Sequence, residues 1–219
     1  MAVSVVIPAF NEAERIAATI DAARAAGCAE VIVADGGSKD ETVTIAASRG
    51  AMIIGGERVR ARQLNRGAYA AMHDAIVFLH ADTILPAGAA TAIEQVLKTH
   101  VFGGFEIEFL EPGLGAVAKM INVRTRLTGA PWGDQAQFTR RETFLRLGGY
   151  PDYPIMEDYE LARRMKRAGK TTLLPLTVRT SGRRFLKKGI VRTTATNWLI
   201  ITSYHLGVSP ERLARWYRG

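Results

Sequence analysis

Three short clusters carry carboxylates at spacings where they could bind a ligand, hold a cation or take a proton. The first is Asp35, followed by Gly36-Gly37-Ser38 and then Asp40. Two glycines after a carboxylate let backbone approach a ligand closely, and the carboxylate itself suits a ribose hydroxyl or a base edge. The second is His80-Ala81-Asp82, directly after the apolar run Ile76 to Leu79. A carboxylate there suits a divalent cation that bridges two phosphates and keeps coordination positions open for substrate oxygens. The third, Met156-Glu157-Asp158-Tyr159-Glu160, opens a helical stretch. One carboxylate presented to an acceptor hydroxyl would act as general base, and adjacent Glu157 and Asp158 point in different directions, so only one serves. Taken singly, each cluster also has an ordinary reading, because Asp and Gly form turns after strands and acidic residues complement a helix N-terminus.

The elements that must position these clusters are legible from periodicity. Val3 to Ile7 is a β-branched run ended by Pro8, and the Ala-rich stretch Glu12 to Ala26 closes at Gly27, as a helix does. The order repeats: strand at Val31 to Ala34, helix at Asp40 to Ser48, strand at Met52 to Ile54, helix at Arg60 to Ala71, strand at Ala75 to Leu79. Short apolar strands alternating with helices predict an α/β, Rossmann-like, mostly parallel sheet with helices on both faces. Ligands of such sheets collect beyond the carboxyl ends of the strands, where Asn11-Glu12, Asp35 to Ser38, Gly55 to Glu57 and His80 to Asp82 fall. Beyond Pro86 the pattern turns mixed. A helix to about Lys98, a strand at Phe102 to Phe109, a helix at Leu114 to Leu127, a strand at Gln135 to Thr139 and helices at Arg141 to Leu147 and Glu157 to Ala168 are expected. Strands near Thr171 to Val178 then lead to a helical tail, with helices at Ile190 to Leu206 and Pro210 to Tyr217.

Composition narrows the class. The chain has 219 residues, 47% of them apolar, enough for one domain with an appendage. Cys28 is its single cysteine, which excludes an intramolecular disulfide and a cysteine-rich zinc cluster. No run of about 18 apolar residues occurs, and the chain enters its first strand at once, so a cytoplasmic protein is expected. From Arg179 onward nine basic residues face Glu211 alone, whereas positions 1 to 178 hold 20 basic and 20 acidic residues. The excess charge therefore argues against a nucleic-acid-binding protein and for a local anion site at the tail.

Ser4 to Glu12, Val31 to Asp40, His80-Ala81-Asp82 and Glu157-Asp158 together resemble the family 2 glycosyltransferases of GT-A fold, over roughly residues 1 to 170. The resemblance implies an inverting glycosyltransferase with a nucleotide-sugar-binding half at 1–86, a mixed acceptor half at 87–178 and a basic helical tail at 179–219. It implies that Pro8, Phe10 and Glu12 line the nucleoside pocket, Asp35 contacts base or ribose, Asp82 binds Mn²⁺ or Mg²⁺, and Asp158 is the base. Arg62 falls where such enzymes place residues near the diphosphate. The block Trp132 to Phe138 looks like that of a compact subgroup, with Trp132, Asp134 and Gln135 shaping the acceptor or sugar pocket. A UDP-sugar is the family's commonest donor; the acceptor is not readable. Two positions depart from the family pattern: Gly36 replaces a second Asp, and His80 replaces the first Asp of Asp-x-Asp, where a neutral imidazole still suits Mn²⁺ or a phosphate.

Ser181-Gly182-Arg183-Arg184-Phe185 reads as a flexible basic segment whose forked guanidinium groups suit the donor's pyrophosphate. Trp198, Leu199, Ile200, Ile201 and Tyr204 leave three readings open for the helix that follows: core packing, a homodimer interface, or peripheral contact with an anionic membrane. Rival functions are a nucleotidyltransferase, which also combines a parallel sheet with a metal-binding carboxylate, and a nucleotide- or glycan-binding module without catalysis.

Overall fold

Apolar side chains alternate along the first strand, β1 (Val3–Ala9), so Val3, Val5 and Ile7 face one side of the sheet and Val6 the other. That alternation creates two cores. The computed structural model describes residues 1–218, in which β1 is followed by α1 (Ala13–Ala25), β2 (Glu30–Asp35), α2 (Thr42–Ser48), β3 (Met52–Gly55), α3 (Arg60–Ala70) and β4 (Ala75–Phe78). β1 to β4 pair in parallel in the order β3-β2-β1-β4, with Ala9 opposite Asp35 at the carboxyl rim. Ile16, Ile20 and Ala23 of α1 cover the Val5 face, and Ala61, Leu64 and Ala68 of α3 cover the Val6 face. Gly67 makes the second contact possible, because a Cβ there would collide with the Val6 side chain.

The sheet continues through β5 (Thr83–Ile84), α4 (Ala89–Val96), β6 (Phe102–Phe109), α5 (Gly115–Thr128), β7 (Phe138–Arg140), α6 (Arg141–Arg146), α7 (Glu157–Ala168) and β8 (Thr171–Thr180). Its full order is β3-β2-β1-β4-β7-β6-β8-β5, with β7 antiparallel to β4 and β6, β6 parallel to β8, and β5 antiparallel to β8. The expected mixed second half is thus one continuous sheet with the parallel half. Three helices follow: α8 (Arg183–Lys188), α9 (Ile190–His205) and α10 (Pro210–Arg218).

Three local expectations change. The strand expected from Gln135 begins only at Phe138, because Gly133–Gln135 forms a 3-10 turn whose Gln135 Oε1 accepts from the Trp132 N–H. Thr83–Ile84 is too short to show a period, and pairs with Thr180 and Arg179 only because β8 arrives from far along the chain. The basic segment after Ser181 is the helix α8, held at its start by Glu111, which accepts from the Gly182 N–H and the Ser181 hydroxyl. No described helix is long and apolar enough to cross a membrane. In α9, Ile200 packs with Met156 and Leu213, while Trp198 and Leu199 of the same helix stay exposed.

Candidate active site

The rim loops after β1 and β2 are laced to each other. Asn11 donates its N–H to the Ser38 hydroxyl at 2.9 Å and accepts from the Lys39 N–H, and the Glu12 N–H donates to Thr42 Oγ1 at 2.8 Å. Asp35 lies buried beneath them, its Oδ2 accepting from the N–H groups of Gly37 and Ser38 and its Oδ1 from the Ser38 hydroxyl. The ordinary turn-forming role of Asp35 is therefore real, and it fixes the shape of the rim beside Pro8 and Phe10. Arg58 stacks its guanidinium 3.8 Å from the Phe10 ring centroid.

One strand over, Asp82 and Glu12 converge on a single cation, the guanidinium of Arg183, at 3.4 and 2.8 Å. Burial raises the Asp82 carboxyl above the ordinary range, Arg183 opposes that rise, and the Glu12 charge adds to it. His80 is held neutral, because burial first, and then the charges of Arg60 and Arg183, push its pKa well below the usual value.

Asp158 reaches the same corner from α7. Its Oδ2 accepts from the Gly133 N–H and its Oδ1 from the Tyr159 N–H, both at 2.7 Å. A Cβ placed on Gly133 would lie 3.0 Å from Asp158 Oδ2 and 3.2 Å from His80 Nε2, so both side chains lie against this glycine. Met156, just before the acidic pair, adopts φ 71°; Ala136 and Asn11, at 47° and 54°, are the other described non-glycine residues with positive φ. Each costs backbone energy, and all three flank predicted site residues, as strained positions at functional sites do.

Glu157 is buried beside its neighbour, 4.0 Å from Arg60; burial and the Asp158 charge push its carboxyl upward. Trp132 carries the Arg124 guanidinium over its ring at 3.6 Å. Asp134 Oδ1 is buried with no hydrogen-bond partner, and burial raises its carboxyl against the pull of Arg124. Gln135 is fully buried and spent on structure, accepting from Thr125 Oγ1 and donating to the Phe105 carbonyl.

These groups border one cavity of about 700 Å³, lined on this side by Arg58, Arg60, His80, Asp82, Asp134 and Asp158. Asp82, His80, Trp132, Asp134 and Asp158 are brought together as the sequence suggests, while Pro8, Phe10, Glu12 and Asp35 form the adjoining rim. Arg62 is not brought to the cavity: it lies on the exposed side of α3, forked onto Asp152 and paired with Glu57. Arg60 lines the cavity instead. Arg183 and Arg184 also separate, the first going to Asp82 and the second stacking 3.9 Å over Tyr217. Sequence reasoning missed Arg58, Arg60 and Arg124; only the Arg58/Arg60/Arg62 spacing at the start of α3 hinted at the first two.

The fold is an α/β sheet with carboxylates at the rim of its parallel half. The model of "Glycosyl transferase family 2" matches residues 4–144, and the chain belongs to that family and is a glycosyltransferase. Its fold is shared with glucosyl-3-phosphoglycerate synthase of Mycobacterium tuberculosis in complex with Mn²⁺ and UDP-glucose, at 21% identity and TM-score 0.58, over 80% of this chain and 69% of that one. It is shared too with a mannosyltransferase of Pyrobaculum calidifontis in complex with GDP-Man and Mn²⁺, at 21% identity and TM-score 0.68, over 93% of this chain and 61% of that one. S. aureus TarS is similar at 14% identity and TM-score 0.68, over 83% of this chain and 60% of the TarS fragment. The chain thus spans only about three fifths of the latter two. No curated protein matches it in sequence. Family membership sets the nucleotidyltransferase alternative aside.

Proposed function

We propose that the chain transfers a sugar, with inversion, from a nucleoside-diphosphate donor to an acceptor hydroxyl, with Asp158 as the base. The observation that carries this reading is the placement of Asp158 Oδ2 and His80 Nε2 against Gly133, on the cavity that Asp82 also lines. The nucleoside lies against Pro8 and Phe10 with Asp35 beneath, and the diphosphate faces Arg60 and Arg183. The acceptor oxygen attacks the anomeric carbon from the side opposite the diphosphate. Its proton passes to Asp158 Oδ2 as the new carbon–oxygen bond forms and the bond to the diphosphate breaks, releasing the nucleoside diphosphate. The two backbone N–H groups on Asp158 fix its orientation, so the acceptor meets a preset base. The unpartnered Asp134 Oδ1 offers a hydrogen-bond acceptor to a sugar hydroxyl.

Mn²⁺ or Mg²⁺ fits the Asp82 corner. Glu12 and Asp82 already draw one cation together, and neutral His80 keeps a lone pair available. Asp82 and His80 would hold the ion, with donor oxygens and water completing its shell, since the described residues hold no cluster of three metal-binding side chains. When bound, it supplies positive charge to the departing diphosphate. UDP-sugars are the first donors to try, and GDP-sugars the second; both kinds occur in the similar structures.

The test is thermal stability with UDP, GDP, ADP, CDP and dTDP, each with Mn²⁺, Mg²⁺ or EDTA, for the parent and Asp82→Asn. Ligands that bind the native state raise stability by mass action. A cation-dependent shift with one nucleotide, lost in Asp82→Asn, supports the reading and names the donor. No shift with any nucleotide overturns it.

A further inference from the structure

The cavity extends well beyond the groups just assigned, and its far half differs in chemistry. Pro8, Phe10 and Asp35 do not line it, although Arg58, stacked on Phe10, does; its far half lies against α8 and α9. There its walls are Phe109, Met120, Ile121, Phe185, Trp198 and Ile201. Phe109 and Phe185 close one side as an edge-to-face aromatic pair with centroids 5.3 Å apart, and Trp198 stands half open to solvent at 52% exposure. A sugar or small polar acceptor would leave these walls wet and forgo the gain from burying them.

Two cations border this half, Arg124 one turn from Ile121 on α5 and Arg184 on α8; Arg124 faces the charges of Asp134 and Asp158, and Arg184 faces no described acid. Arg184 lies over Tyr217, with Asn197 Oδ1 at 3.5 Å from its Nη2, and no described carboxylate forms an ion pair with it. Burial lowers its pKa, and no described acid offsets the loss of water. Arg183, one residue earlier, is by contrast paired with Glu12 and Asp82. A half-buried guanidinium with no carboxylate partner among the described residues, on the same cavity as Asp158, is a receptor for an anion carried by the ligand.

We infer that the acceptor is an amphipathic anionic alcohol, its hydroxyl presented to Asp158, its apolar body along Phe109, Ile121 and Trp198, and its anionic group on Arg184. The inference rests on the transfer reading above, and deepens it by naming the acceptor's class. Both a free hydroxy acid with a long chain and an anionic bilayer lipid have this chemistry. Exposed Leu186, Val191 and Leu199, with Lys187, Lys188 and Arg192 between them on α8 and α9, would suit delivery from a bilayer.

The test measures binding to the full chain by tryptophan fluorescence and thermal shift, using 10-hydroxydecanoate, the neutral 1,10-decanediol and the short 3-hydroxypropanoate. The expected order is 10-hydroxydecanoate tightest and the diol roughly ten-fold weaker for want of a charge-assisted contact, with 3-hydroxypropanoate weakest. Arg184→Gln is expected to erase the gap between acid and diol, Arg184→Lys to restore part of it, and Trp198→Ala to weaken both long-chain ligands. The partial rescue by lysine separates loss of the charge from loss of the tail's structure. Flotation with phosphatidylglycerol or phosphatidylcholine vesicles distinguishes the sources: retention on the anionic vesicles with displacement of 10-hydroxydecanoate assigns the acceptor to a bilayer, and displacement by the free acid alone assigns a soluble one. Equal binding of the short acid overturns the apolar class, and an unchanged acid-to-diol ratio in Arg184→Gln overturns the anion site. A nucleotide-dependent stability shift alongside such results would sink this inference alone; absence of that shift would sink the transfer reading.

Discussion

The Arg183 guanidinium stands 3.4 Å from the Asp82 carboxylate and 2.8 Å from Glu12, linking the tail helix α8 to the rim of the parallel sheet across a hundred residues of chain. One internal cation thus occupies the corner where the donor's diphosphate and a divalent ion are proposed to bind. Arg183→Gln removes it and leaves two facing carboxylates, so Mn²⁺ without nucleotide should stabilise this variant more than the parent. Its kcat/KM should fall roughly 10- to 100-fold, the range of a lost charge-assisted contact. A thermal-shift titration with Mn²⁺, run beside a transfer assay, checks both; equal Mn²⁺ responses would contradict the shared corner.

Asp158 and Gly133 form one unit, so two different substitutions should share a phenotype. Asp158→Asn keeps the shape and removes the base, and kcat should fall about 10²- to 10⁴-fold with nucleotide binding unchanged. Gly133→Ala places a methyl 3.0 Å from Asp158 Oδ2 and should lower kcat by about ten-fold or more through misplacement alone. Steady-state kinetics with a donor-affinity measurement separate this outcome from a binding defect.

Stability should depend on pH through Glu157. Burial, and then the Asp158 charge, raise its carboxyl from the ordinary 4.5 to about 7. A raised acid holds its proton longer in the folded than in the unfolded state, so its contribution is complete below the unfolded value and declines as pH rises through the folded one. Glu157→Gln cannot lose that proton. The Tm difference between Glu157→Gln and the parent should therefore grow in the variant's favour from pH 4.5 to 7.5, and a difference constant across that window would refute the assignment.

Gly67 sets the distance between α3 and β1. Gly67→Ala should destabilise the protein by about 1–3 kcal/mol through overpacking, because the added methyl meets the Val6 side chain. Urea unfolding measures the loss, and Val6→Ala in the same chain should recover part of it by opening space for the methyl.

Much of the parallel half was readable from the chain because its signals are local. β-branched runs, Gly and Pro stops and the polar residues after each strand place Asp35 and Asp82 at one rim, and the helix start places Asp158 at another element's end. The resemblance to a family with this motif order added the roles. Other features were beyond such reading. Arg60 and Arg62 lie two residues apart on one helix and so project roughly 200° apart, and only the packing of α3 on β1 decides which of them meets the cavity. Arg183 and Arg184 are adjacent and chemically alike, yet Glu12 and Asp82 claim the first and Tyr217 the second. The apolar half of the cavity is assembled from β6 and α5 on one hand and α8 and α9 on the other, segments that meet only when remote parts of the chain pack. What the sequence by itself determined is the order of elements and the chemistry offered at each strand end, since backbone period and turn residues act over a few positions. Which charges face one another, and what fills the space between them, was decided by tertiary structure, because burial and Coulomb interactions depend on distances that are set only when remote segments pack.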